Sequence, residues 1–217
     1  MKKGLKLVLV LLCLLGIVLS AFFYSAYHQY YKYLEIRRNI RSLERDFKRL
    51  EIPLARATRF FPLPLFWLER GKLYVSRAMA EVEFGEPVKA VPYLEQANQA
   101  LVRAAQGCPV DYEAFWELSK VYFLYNYPLP VYADKGRKLC QEAIRRHPYN
   151  EFINLNVLMV FFEQWPLLED QEKAWVKDRI KIMSAVESAF VEKLKGRWQA
   201  YHHETRTLET RLQELGL

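Results

Sequence analysis

Side chains able to do chemistry are numerous in this 217-residue chain, but few stand at spacings that would make them act together. Four histidines are scattered at His28, His147, His202 and His203. The adjacent pair cannot face one metal from a helix, because neighbouring helical positions point about 100° apart. Neither has a Cys or carboxylate partner at clear ligand spacing, so they read as solvated helix-surface side chains. Glu and Asp abound, but on a charged helical surface such pairs are i,i+4 partners. The sequence has no Gly-rich phosphate loop, no nucleophile elbow and no pair of cysteines at zinc-ribbon spacing. The expectation is therefore no catalytic residue, no metal, no cofactor and no enzymatic activity. Of the three cysteines, Cys13 falls in an apolar run. Cys108 and Cys140 either bridge in an oxidising compartment or serve as two small buried hydrophobes.

The formal net charge of +7 invites a nucleic-acid reading, which its distribution argues against. Residues 1–41 hold seven Lys/Arg and one acid, Glu35, a net of +6, which leaves +1 for residues 42–217. A nucleic-acid footprint needs cations clustered on a folded surface. Here Lys32, Arg37, Arg38 and Arg41 would meet anionic lipid headgroups instead, at about 1 kcal/mol each.

That membrane setting comes from the N-terminus. After Lys6 no charged residue appears until Lys32, and Leu7 to Phe23 is almost wholly aliphatic and aromatic. Such a stretch, as a helix, covers a hydrocarbon core of roughly 30 Å. Tyr24, Tyr27, Tyr30, Tyr31 and Tyr33 follow, apolar rings with polar tips that suit the headgroup layer. The reading is a cytoplasmic tail at 1–6, a transmembrane signal anchor at 7–27 and a juxtamembrane helix at 28–60. The alternative is a cleaved signal peptide with a site near Val18-Leu19-Ser20. Lys2, Lys3 and Lys6 abut the apolar run, which places the N-terminus in the cytoplasm and the following domain outside.

The elements behind the anchor are helices. No stretch alternates with period two over strand length, so the fold class is all-α. Prolines and glycines divide the chain into helical segments at roughly 33–60, 65–84, 93–106, 111–126, 132–146, 150–164 and 169–215. In the last, Ile182, Val186, Phe190, Leu194, Trp198, Tyr201, Thr205, Leu208, Leu212 and Leu215 recur at spacings of three and four. This predicts one long seam, kinked if anywhere at Gly196, that either caps its own domain or joins a second chain as a coiled coil through residues 182–215.

The shorter helices carry a repeated pattern. Ala104 and Pro109, then Phe115, Leu118, Ser119 and Tyr122, then Gly136, Cys140, Ala143 and Pro148 resemble the tetratricopeptide repeat. Trp67, Gly71 and Tyr74, with Ala97, Leu101 and Ala104, make a partial copy in which Arg70 stands where Leu is expected. Ala57 and Pro62 repeat the Ala-to-Pro spacing upstream, and Asn150 to Glu163 resembles a further first helix with Leu158 in place of the small residue. The resemblance covers about residues 40–165, with the repeats themselves at 61–165 and capping or coiled-coil-like helices at 166–217. It departs from the family's period of about 34 residues, since Pro62, Pro109 and Pro148 stand 47 and 39 apart.

The resemblance implies a superhelix of helical hairpins whose first helices line a concave groove. The family's groove positions fall at Glu69, Lys72 and Ser76, at Glu113, Trp116, Glu117, Lys120 and Phe123, and at Asn156, Met159 and Glu163. Glu69/Lys72 and Glu117/Lys120 are equivalent pairs, either a mixed-charge groove or ordinary intrahelical pairs. Trp116 would anchor a partner. The expected function is a non-enzymatic membrane scaffold that binds a protein or peptide, in an envelope secretion, pilus or polysaccharide assembly. The alternatives are a structural subunit that oligomerises through the terminal seam and a glycan-acting helical enzyme.

Overall fold

A computed structural model describes residues 2–40 and 42–217. Met1 and Arg41, and the side chains of Lys2, Lys3, Gly4, Leu5 and Glu44, lie outside that description, so the cations expected at Lys2, Lys3 and Arg41 have no structural account. Among the described residues there are ten α-helices, one 3-10 turn and no strand, so the fold is all-α. The chain divides into two compact units, residues 1–136 and 137–217.

The first unit opens with α1 (Lys2–Asn39), the one helix among the described residues long and apolar enough to cross a membrane. An anchor and a signal sequence share that property. At about 1.5 Å per residue its 38 residues extend roughly 57 Å, far more than a bilayer core requires. It runs without a break across residues 27 and 28. Then follow α2 (Leu43–Phe60), α3 (Pro64–Phe84), α4 (Pro87–Gly107) and α5 (Tyr112–Leu124), with the first turn of α6 (Ala133–Arg146). Consecutive helices pack on each other, α1 on α2, α2 on α3, α3 on α4 and α4 on α5, and α3 also touches α5. Their short connections make neighbours antiparallel.

Local chemistry explains the corners. Pro64 and Pro87 each sit at the start of a helix, where a missing N–H costs nothing. Asp111 caps α5 by accepting the Glu113 N–H at 2.9 Å. Small residues let the helices approach. Gly71 of α3 lies so near Leu101 of α4 that a methyl group there would overlap the Leu101 side chain, and Gly136 is similarly pressed against the Phe123 ring. The tyrosines of α3 and α5 do the same work one hairpin apart: Tyr74 donates to Glu51 of α2 at 2.6 Å and Tyr122 to Asn98 of α4 at 3.2 Å. Arg70, in the place of a leucine, lies over the Trp67 and Tyr74 rings, its aliphatic stem supplying the apolar surface. Ala57, Ala104 and Ala143, each five residues before a proline, are all buried. Helices packed in neighbouring pairs are compatible with a helical repeat.

The second unit contains the rest of α6, then α7 (Glu151–Glu163), the 3-10 turn Trp165–Leu167, α8 (Asp170–Val186), α9 (Phe190–His202) and α10 (Arg206–Glu214). α7 packs against α8 and α9, and its Ile153, Val157, Leu158, Phe161 and Phe162 are fully buried, which is why it is apolar on every side. Buried Arg179 of α8 donates to Asn154 Oδ1 at 2.5 Å and to the Pro148 carbonyl, and Asn154 donates to that carbonyl at 3.0 Å. This clamp ties the turn before α7 to α8. The cysteines are not bridged; Cys140 is a buried thiol and Cys108 a half-buried one.

Three expected segments are corrected. The segment 33–60 is not one helix: α1 ends at Asn39 and α2 begins at Leu43, although Pro53 lies inside α2. The segment 93–106 begins six residues earlier, because Pro87 supplies the start and close packing on α3 carries the helix through Pro92. The segment 169–215 is three helices, broken at Glu187–Ala189 and at His203, whose left-handed backbone ends α9. Gly196, the expected kink, lies within α9. Six of the ten seam residues, Phe190, Leu194, Trp198, Leu208, Leu212 and Leu215, are buried within this single chain.

Candidate partner-binding surface

The expected groove residues fall on α3, α5 and α7, and those of the first unit cluster across helices. Glu69 of α3 is buried and accepts three hydrogen bonds: from Tyr33 Oη at 3.1 Å, from Arg37 Nη1 at 2.7 Å and from Lys72 Nζ at 3.2 Å. Tyr33 and Arg37 belong to α1. Lys72 also pairs with Glu113 of α5. One chain of alternating charge, Arg37, Glu69, Lys72, Glu113, thus runs across α1, α3 and α5.

Burial works against the Lys72 ammonium, but the Glu113 hydrogen bond and the Glu69 charge outweigh it and raise the Lys72 pKa. Burial, then the neighbouring Glu69 charge, pushes the Tyr33 phenol well above its ordinary 10.0. Arg37 is opposed by burial and supported by Tyr33 and Glu69, with a net rise. All three groups hold their protons more tightly in the fold.

Two helical turns beyond Glu113, Lys120 donates to Glu117 at 2.6 Å and lies 5.1 Å from the centroid of the Trp116 ring. Both equivalent Glu/Lys pairs are therefore intrahelical i,i+3 contacts, and the first also bridges helices. Glu69 and Glu117 are buried, so they support the surface from beneath. Ser76 is exposed and donates to the Lys72 carbonyl at 2.9 Å; Trp116, Lys120 and Phe123 are half-buried, with Phe123 against Gly136. In the second unit Met159 is core, Asn156 accepts from Arg197 of α9 at 2.7 Å, and Glu163 lies 3.2 Å from His202. Those three positions are engaged within their own unit.

The residues expected at the membrane interface divide. Tyr24 and Tyr31 are exposed, as is Arg38. Tyr27 and Tyr30 pack on Phe66 of α3, with ring centroids 5.3 and 5.1 Å apart, and Tyr33 is buried. Arg37, its side chain half exposed, is Glu69's partner. The sequence reading missed that the second half of α1 is itself a packing helix. Ala26, Tyr30, Tyr33 and Arg37, at spacings of four, three and four, are the stripe that signals it.

No protein-family model matches this chain, and no curated protein matches it in sequence.

Proposed function

We propose that this chain is a non-enzymatic scaffold, anchored by α1 with the N-terminus in the cytoplasm and the helical domain outside, that binds a protein or peptide on the α3/α5 face of a tetratricopeptide-like stack. The observation that supports it is the charge ladder from Arg37 through Glu69 and Lys72 to Glu113. It makes α1 a structural member of the stack, so the wall carrying Ser76, Trp116 and Lys120 is held at a fixed position near the bilayer instead of hanging from a linker. Tethering of that kind raises the effective concentration of the surface near other membrane proteins. Half-buried Trp116, with the Lys120 ammonium over its ring, is of a residue type enriched at interaction hot spots.

A photo-crosslinking amino acid at Trp116, in intact membranes, tests this. The expected result is a discrete adduct that is lost on Lys120→Glu and absent when the crosslinker replaces Val88, which is 81% exposed in the first turn of α4. No adduct at Trp116, or equal labelling at Val88, contradicts the groove.

A subunit that oligomerises through its C-terminal helices is favoured only by the exposure of Ile182, Val186 and Tyr201. Mass measurement after detergent extraction decides it, a monomer ruling it out.

A further inference from the structure

The turn between α2 and α3 carries a property that the scaffold does not use. From Phe60 to Leu68 the sequence is Phe-Phe-Pro-Leu-Pro-Leu-Phe-Trp-Leu, nine residues without a charge between Arg59 and Glu69. In a soluble repeat protein a corner is a solvated turn rich in polar residues. Here Phe60 is 37% exposed and Leu65 40% exposed, and Pro62 is exposed beside them.

What covers this surface is indicated by its neighbours on α1. The Phe60 ring centroid lies 6.4 Å from that of Phe22, and Phe61 meets Phe23 edge-on at 5.4 Å. Phe22 and Phe23 end the apolar run that starts at Leu7. Those 17 residues cover about 25 Å of a hydrocarbon core of roughly 30 Å, so the two rings stand near its outer boundary. The corner is fixed to α1 at the depth where the bilayer gives way to headgroups.

Surrounding residues agree with that depth. Two guanidiniums lie over the Trp67 ring, Arg103 at 4.5 Å and Arg70 at 5.7 Å from its centroid, an aromatic and cationic composition suited to headgroups. The end of α4 joins the same level: a methyl group on Gly107 would come 2.7 Å from Pro64 Cγ, and nearby Val110 is exposed. The opposite corner, between α3 and α4, also exposes apolar side chains, Phe84 and Val88. There Glu83 and Glu86 interleave with them, which anionic headgroups would repel.

We propose that the α2–α3 corner, Phe60 to Leu65, is a second membrane contact, seated in the outer part of the leaflet from which α1 emerges. The proposal rests on α1 spanning the bilayer. Its occupant is lipid, and its consequence is a fixed orientation: α3, about 31 Å long, rises from the corner and carries the α3–α4 corner away from the surface.

Depth-dependent quenching tests it on the full chain. The native cysteines are replaced, single cysteines at Leu14, Leu65 and Val88 are labelled with an environment-sensitive dye, and each protein is reconstituted into phosphatidylcholine and phosphatidylglycerol vesicles containing doxyl-labelled lipid. Circular dichroism verifies the helix content, and a label at Phe60 replaces Leu65 if that variant loses it. Quenching at Leu14 and at the corner label, several-fold greater than at Val88, is the expected result. Quenching at Leu14 with the corner label no more affected than Val88 overturns the second contact and leaves the anchor standing. Absence of quenching at Leu14 as well overturns both.

Discussion

Glu69 is the side chain on which most depends, because three donors from two helices converge on a carboxylate that is nearly out of solvent. The Arg37 pair alone would add little, since its guanidinium is half exposed and screened by water. Loss of the acceptor is costlier, because it leaves the buried Tyr33 hydroxyl and the Lys72 ammonium short of a partner. Glu69→Leu is therefore expected to destabilise the fold by about 1–3 kcal/mol, read as a fall in melting temperature of the full chain in detergent micelles. The proton affinities give a second expectation. Tyr33 and Lys72 both titrate higher in the fold than their ordinary 10.0 and 10.5, so the stability linked to them is intact below about pH 10 and declines as pH rises through the folded values. Melting temperatures between pH 9 and 11 should fall more steeply for the native chain than for Tyr33→Phe. The Glu69/Lys72 pair was legible in the sequence from its spacing. Its link to α1 was not, because Tyr33 and Arg37 lie 36 and 32 residues away and no local pattern couples them.

Among the elements, the α3/α4 hairpin shows best how residue size sets helix approach. Gly71 stands in the middle of a helix, where alanine is ordinarily better by about 1 kcal/mol. In this position a methyl group would overlap Leu101, so Gly71→Ala is expected to destabilise by about 1–3 kcal/mol instead. Leu101→Ala opens space on the other side, and the double variant should lose measurably less than the sum of the two single losses in denaturant unfolding. Additive losses would show that the two helices do not meet there. The small residue at 71 was legible in the sequence, as were the helix starts at Pro64 and Asp111. Helix ends were less so. Pro92 looked like a boundary, yet α3 packs along α4 closely enough to keep a proline in its second turn, and the seam from Ile182 to Leu215 kept helical spacing through breaks at Glu187–Ala189 and His203. Hydrophobic spacing records which residues turn inward, and it persists across a short break when the following helix buries its own stripe in the same core.

At the scale of the whole molecule, the long apolar run and part of the folded domain's packing surface share one helix. The apolar run and its length were plain in the sequence; the packing of its second half was hidden because tyrosines suit a headgroup layer and a helix interface equally well. Tyr24 and Tyr31 face out, whereas Tyr27, Tyr30 and Tyr33 pack or are buried. Cleavage near Ser20 would leave Phe22 and Phe23 at a new terminus, though both contact the α2–α3 corner. The scaffold we propose requires the helix to remain whole and embedded. Intact mass measurement of the protein recovered from carbonate-washed membranes examines this. The full 25.8 kDa chain, with residues 1–20 present and retained in the membrane fraction, is the expected result. A soluble product beginning near Ala21 would contradict it.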